Sequence, residues 1–331
     1  MKLAVVCVAG AAGLVLAGSA QALTIIPTFD SSITGASNAA EIENRIVQDL
    51  QFYHNFSDPV DVSIYFRLGT TNLGESLTSH YYAPYADYVS GLGIQAALHP
   101  ENAVLQSAYA NLPFGNFDTN VLMTSAELNT LIVPFGFTVP GFVNGTFDGM
   151  VTLSDAPGKI NFSDNAGPGQ YDATATIQHE VDEVLGIGGA GSVLNDGPPG
   201  SGFVGAFDLN RYADFHIPSL STDPEAAAYF SYDGGATKVM DFNQNGIGDF
   251  GDWARTNCSG TRNIQDWADC SGGPRFELTR GGPEVLALEA IGYNLAPVPE
   301  PAIWALMMLG FGLTGAALRS RSATSAISFA E

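Results

Sequence analysis

Asp172-Ala-Thr-Ala-Thr-Ile-Gln-His179-Glu180-Val181-Asp182-Glu183-Val184-Leu185-Gly186 is the stretch from which the rest of the chain is best read. The pattern predicts a helix from about Asp172 to Leu185, stopped by Gly186. At about 100° per residue, Ala173, Ile177, Val181, Val184 and Leu185 fall on one apolar stripe. His179 and Glu183 are four residues apart and therefore adjacent on the other face. The helix carries four acids and no Lys or Arg, where a solvated face mixes signs. Asp182 and Glu183 also sit in its last turn, where the helix dipole disfavours anions by about 0.3–1 kcal/mol. A bound cation would offset both.

The arrangement is HExxH with Glu in place of the second His. An i, i+4 pair can grip one metal ion, carboxylate oxygen is an ordinary zinc ligand, and Glu180 beside the first ligand can reach the ion's water. The expected chemistry is zinc-assisted hydrolysis of a peptide bond. The ion lowers the pKa of its water and polarises the carbonyl, and Glu180 passes the proton to the leaving amine as general base.

Working outward, Val60, Val62, Ile64, Phe66 and Leu68 alternate with polar residues and predict a half-buried strand. Ile42, Ile46, Leu50 and Tyr53 repeat at helical spacing after Asn38 and Glu41, a capping-box pair. Pro84–Leu98 and Pro283–Ile291 read as helices, and Asp148–Ser154 and Lys159–Phe162 as strands. After Gly186 the chain is loop-rich. Helix, strand, helix, strands and one strong helix predict an α+β domain with segregated elements.

Asp241, Asn243, Asn245, Ile247, Asp249 and Asp252 fall at positions 1, 3, 5, 7, 9 and 12 of an EF-hand-type calcium loop, with Gly246 at the turn position. The last position is Asp rather than Glu, and an acidic turn is the alternative reading. Cys258 and Cys270 are expected to form one disulfide, because Cys7 leaves with the N-terminal segment. His54, His80 and His99 read as structural.

Met1–Ala22 has Lys2, an apolar run and Ala20-Gln21-Ala22, the layout of a signal peptide removed by signal peptidase. Val298-Pro299-Glu300-Pro301 precedes the uncharged run Ala302–Leu318, which at about 1.5 Å per residue is close to the lower limit for a membrane span, and then Arg319 and Arg321. This order resembles the PEP-CTERM sorting tail, which an exosortase processes in Gram-negative bacteria. The expected division is therefore signal peptide 1–22, one domain 23–296, and a sorting tail 297–331 with a transmembrane helix. The expected location is the cell surface or extracellular matrix, after transient anchoring in the inner membrane. Removing both ends leaves nine Lys and Arg against thirty-two Asp and Glu, a charge of about −23 that repels nucleic acid.

The run His179–Gly186 also resembles the HExxE-type metalloproteases that carry such tails. The likeness extends to Asp208-Leu-Asn-Arg211-Tyr212, Ala228–Gly235, Gly248-Asp249-Phe250-Gly251-Asp252-Trp253 and Ala290–Tyr293. It implies a zincin-like fold and metal-dependent peptide hydrolysis. Where a metzincin places its third ligand this chain has Gly189. Asp208, in a family-like segment, is the favoured third ligand, with His216 the runner-up. Arg211 or Tyr212 is expected to stabilise the oxyanion. The alternative reading is a non-catalytic, calcium-stabilised surface or matrix protein on a degenerate peptidase scaffold.

Overall fold

In the computed structural model, residues 22–113, 119–196, 202–254, 258, 261–297, 308–314 and 319 are described. The expected signal peptide lies outside them except for Ala22, as does most of the run Ala302–Leu318. The chain forms two compact units, Met1–Leu295 and Ala296–Glu331.

The first unit is a mixed α/β structure, compatible with the α+β class. It begins with β1 (Thr24–Phe29), the short α1 (Ser31–Thr34), α2 (Ala39–Leu50) and β2 (Asp61–Gly69), then β3 (Gly74–Thr78) and β4 (His80–Pro84). Next come α3 (Tyr85–Leu98), α4 (Ala103–Ala110), β5 (Asn120–Thr124), α5 (Ser125–Ile132), β6 (Gly149–Ser154), α6 (Ala173–Leu185) and, near the end, α7 (Pro283–Ala290).

The principal sheet has the order β1-β2-β6-β3. β1, β2 and β6 are parallel, and β3 closes one edge antiparallel to β6. Along β2 the alternation behaves as read: Val62, Ile64 and Phe66 are wholly buried and their neighbours are not. Each such side chain contributes about 1.5–3 kcal/mol. The core they enter is shared with α2 (Ile42, Ile46, Leu50) and α6 (Ile177, Val181, Val184, Leu185). Gly149 is required here, because a Cβ would stand 2.7 Å from Val184 Cγ1. The absence of that atom lets α6 lie against β6.

A second sheet joins β4, β5 and Phe203–Gly205, and covers a separate apolar cluster with α3 and α5 that includes Tyr88, Leu92, Val121, Met123 and Leu131. The loop-rich half adds a small antiparallel sheet of Ile217–Pro218, Arg211–Asp214, Tyr229–Phe230 and Met240–Asp241.

Three local expectations change. Asn38 makes no side-chain cap to α2; its amide meets the Glu41 carboxylate instead, at 3.5 Å. Of Lys159–Phe162, only Ile160–Asn161 pairs, with Tyr171–Asp172. The 3-10 turn Gln51–Asn55 carries Tyr53 beyond the end of α2.

In the second unit, residues 308–314 are helical and exposed. Among the described residues no helix is long and apolar enough to cross a membrane.

Candidate metal centre

The site is built on α6. Asp172 caps it by accepting from Thr174 N at 3.2 Å, and its other oxygen accepts from Phe276 N at 2.9 Å. Gly186, at φ 111°, ends it in the left-handed region that a side chain would disfavour. Every residue of the helix except His179 is buried, because β3 and the loops after Gly186 cover its polar face. Its four acids therefore have separate roles. Asp172 caps, Asp182 accepts from Tyr53 OH at 2.8 Å in the core, and Glu180 and Glu183 face a cleft.

That cleft has a volume of about 440 Å³ and runs between β3 and the N-terminal part of α6 on one side and the segments Gly248–Asp252 and Asn263–Asp269 on the other. Among the described residues none that lines it is Lys or Arg. His179 Nδ1 donates to the Ile264 carbonyl at 2.9 Å, which turns Nε2 toward two carboxylates: Glu183 Oε1 at 3.9 Å and Asp252 Oδ2 at 3.8 Å. Among the described residues, His179, Glu183 and Asp252 form the trio whose ligand atoms lie within 4.8 Å of one another. Ser76 Oγ donates to Glu183 Oε2 at 2.5 Å, and Gly189 N to Glu183 Oε1 at 3.0 Å. Gln265 Nε2 donates to Asp252 Oδ1 at 3.0 Å.

The segment carrying Asp252 is brought in by its neighbours. Trp253 is fully buried, with Phe207, Phe230 and Phe242 ring centroids 5.3–5.8 Å away, and its Nε1 donates to Glu284 of α7 at 3.0 Å. Gly251 packs so tightly on the Gly188 carbonyl that it has no room for a Cβ. At Gly189 a Cβ would stand 2.7 Å from both Glu183 Oε1 and Asp249 Oδ2. The glycine-rich turn after α6 is thus the space into which the acidic segment docks.

The electrostatics are those of a site short of positive charge. Burial opposes a charge on His179, but Asp252, Glu180 and Glu183 outweigh it and push the imidazole up to about 10. Burial raises Asp252 to about 8 and raises Glu183, with Glu180 well above its ordinary range. Asp249, at the cleft's edge, is also raised by burial. Glu180 is 6% exposed and lies against Gly74 of β3.

Asp208 is not brought to His179 and Glu183. It is buried elsewhere, accepting from Ser192 Oγ (2.7 Å), Val193 N (2.9 Å) and Gly205 N (3.1 Å), so its oxygens hold two loops together. His216 sits at φ 54° in an exposed turn against Phe215, also away from the trio. The third acidic or imidazole group near them is Asp252. Arg211 and Tyr212 do not line the cleft. Tyr212 OH donates to the Asn111 carbonyl at 2.9 Å. Arg211 stacks 4.3 Å from the Phe242 ring centroid and donates to the Phe250 carbonyl at 2.5 Å, thereby holding the segment that carries Asp252.

The residues of the calcium-type loop are turned to separate partners. Asp241 pairs with Lys238 at 2.6 Å, Asn243 Oδ1 accepts from Asn245 N, Asn245 Oδ1 accepts from Ile247 N, Asp249 accepts from Asn195, and Asp252 faces His179. A bridge between Phe242 and Trp253 closes the loop in place of flanking helices. Cys258 and Cys270 are bonded, with Cα atoms 5.7 Å apart.

Ser76, Gly74, Ile264 and Gln265 were not singled out by sequence, because no spacing links them to α6. For Asp252 a signal existed: it lies in the family-like Gly248–Trp253 segment and is the residue that departs from Glu at the last calcium-loop position.

Residues 297–322 match the PEP-CTERM protein-sorting motif. The motif implies export and surface sorting in Gram-negative bacteria and recognition by an exosortase-type enzyme. No curated protein and no solved structure matches the chain, so neither the metalloprotease resemblance nor the zincin-like fold has support from a known relative.

Proposed function

We propose that the chain is an exported, zinc-type metallopeptidase of zincin-like architecture, in which His179, Glu183 and Asp252 hold a divalent cation and Glu180 is the general base. The observation that carries this reading is the trio itself: one imidazole nitrogen facing two buried carboxylates, in a cleft lined, among the described residues, by no Lys or Arg. The donor set fits such an ion. Imidazole and carboxylate are both ordinary zinc ligands, and with Nδ1 donating to the Ile264 carbonyl, Nε2 is the nitrogen that a cation would take in place of a proton. The negative field that raises the His179 pKa also attracts a cation.

When bound, the ion supplies a Lewis acid and a water of lowered pKa. The chain's own residues supply the rest. Glu180 accepts the proton of the attacking water as oxygen adds to the scissile carbonyl, then delivers it to the nitrogen as the C–N bond breaks. Burial raises the pKa of Glu180, which makes its carboxylate a stronger proton acceptor than an exposed one.

A peptide is favoured as substrate because β3 is the terminal strand of its sheet and lines the cleft through Gly74, Glu75 and Ser76. An extended segment can pair with such an open edge.

The test is metal content and cleavage of a broad peptide library by residues 23–296, with Glu180→Gln beside the wild type. The variant should keep the metal and lose about 10²–10⁴-fold in rate. Wild-type protein without stoichiometric metal would remove the peptidase reading and leave the matrix-protein one.

A further inference from the structure

Gln265 is a residue of the site that neither the helix motif nor the trio includes. It is wholly buried. Its amide nitrogen stands 3.2 Å from His179 Nε2 and 3.0 Å from Asp252 Oδ1, so the end of the side chain points into the group that faces His179. Its Oε1 is buried without any donor. The backbone on either side is held: Gln265 N donates to Glu284 Oε1 at 3.1 Å, and the Gln265 carbonyl accepts from Trp253 N at 2.8 Å. Gly188 leaves room for the amide, since a Cβ there would stand 2.8 Å from Gln265 Cδ.

Resting on the metal-site reading above, we propose that Gln265 is a fourth donor to the cation, through its amide oxygen. The two ends of a primary amide are alike in size, and a half-turn about the last side-chain bond exchanges them. With the oxygen turned inward, its neighbours at 3.2 and 3.0 Å have the spacing of adjacent donors on one ion. In an octahedral shell with bonds of about 2.1 Å that spacing is about 3 Å.

The donor set then becomes one imidazole nitrogen, two carboxylates and an amide oxygen. Carboxylate and carbonyl oxygens suit harder ions such as Mn²⁺, whereas zinc is content with three protein ligands and an open position. Gln265 therefore sets the choice of metal, favouring an ion of Mn²⁺ character.

The test is calorimetric titration of the full chain with MnCl₂ and, separately, ZnCl₂, for wild type, Gln265→Leu and Gln265→Glu, with melting curves in EDTA to show that each variant folds. Gln265→Leu should weaken Mn²⁺ binding at least tenfold and Zn²⁺ binding markedly less. Gln265→Glu keeps an oxygen donor and should bind Mn²⁺ at least as tightly as wild type, which keeps the proposal testable if the leucine variant does not fold. Equal losses of both ions in Gln265→Leu would mean that Gln265 only orients Asp252, and would overturn the proposal. Tighter binding in Gln265→Leu would mean that the amide N–H competes with the ion, and would overturn it too. A wild type that binds neither ion removes the metal centre itself, a result distinct from a wild type that binds with Gln265 uninvolved.

Discussion

Gly74→Ala is a sharp test of the role given to Glu180, because it moves that carboxylate without touching a ligand. Gly74 has ordinary backbone angles, so alanine can occupy β3 there, and relief of glycine's unfolded-state entropy contributes about 0.5–1 kcal/mol toward stability. The added Cβ would stand 2.7 Å from both Cγ and Cδ of Glu180, and closer still to Oε1. Carbon atoms rest at about 3.5–4.0 Å, so the carboxyl group must retreat by about 1 Å. The atoms that must move belong to a flexible side chain, so the fold accommodates the change. A reacting group misplaced by about 1 Å can cost on the order of 10²-fold, or about 2.7 kcal/mol of transition-state stabilisation. The expected result is a protein with wild-type metal content, an unchanged or higher melting temperature, and about one hundredth of the peptidase rate. The double variant Gly74→Ala/Glu180→Gln should be no slower than Glu180→Gln alone, since both changes disable one group. Wild-type activity in Gly74→Ala, or full additivity in the double variant, would show that Glu180 is not the base.

Asp252→Ala should lose the metal, whereas Asp208→Ala should keep it and lose at least about 2 kcal/mol of stability from the donors of Ser192, Val193 and Gly205 left unpaired; metal analysis and urea melts distinguish the two. Reducing Cys258–Cys270, 12 residues apart in sequence, should cost about 3 kcal/mol in the chain-entropy model, read as a shift in the denaturation midpoint. Burial raises the Asp58 carboxyl to about 6. Its contribution to stability is therefore complete below an unfolded-state pKa of about 4 and is lost as pH rises through about 6, a swing of about 3 kcal/mol. Asp58→Asn should flatten the melting temperature over that window relative to wild type, and parallel curves would refute the assignment.

The elements most legible in the sequence were those with a strong period or a cap. The alternation through Val62, Ile64 and Phe66 marked β2, and Asp172 and Gly186 bracketed α6 within a residue. β3 was not legible, because Gly-Glu-Ser-Leu-Thr is a short edge strand with exposed residues and no apolar face. β1 was obscured by Pro27, which is tolerated because β1 is the other edge of the sheet. The pair His179 and Glu183 could be read from helical geometry alone. Asp252 could not, because its position depends on Trp253 packing among Phe207, Phe230 and Phe242, and on the meeting of Gly251 with Gly188. Such contacts between distant segments leave no period in the chain. Asp208, singled out for its place in a family-like segment, instead ties two loops together through Ser192, Val193 and Gly205, a role that leaves no mark in the chain.

The burial of every α6 residue but His179 has a dynamic consequence. A helix walled in by β3, β6, α2 and the loops that follow it cannot tilt or fray without opening the core. His179, Glu180 and Glu183 thus belong to the part of the molecule that moves least, and the α6 amides should be among the slowest to exchange with solvent. The opposite wall, Gly248–Asp252 and Asn263–Asp269, consists of loops held by a few hydrogen bonds and ring contacts. The trio is thus split between a helix locked into the core and a loop wall, with Asp252 and Gln265 on the loop side.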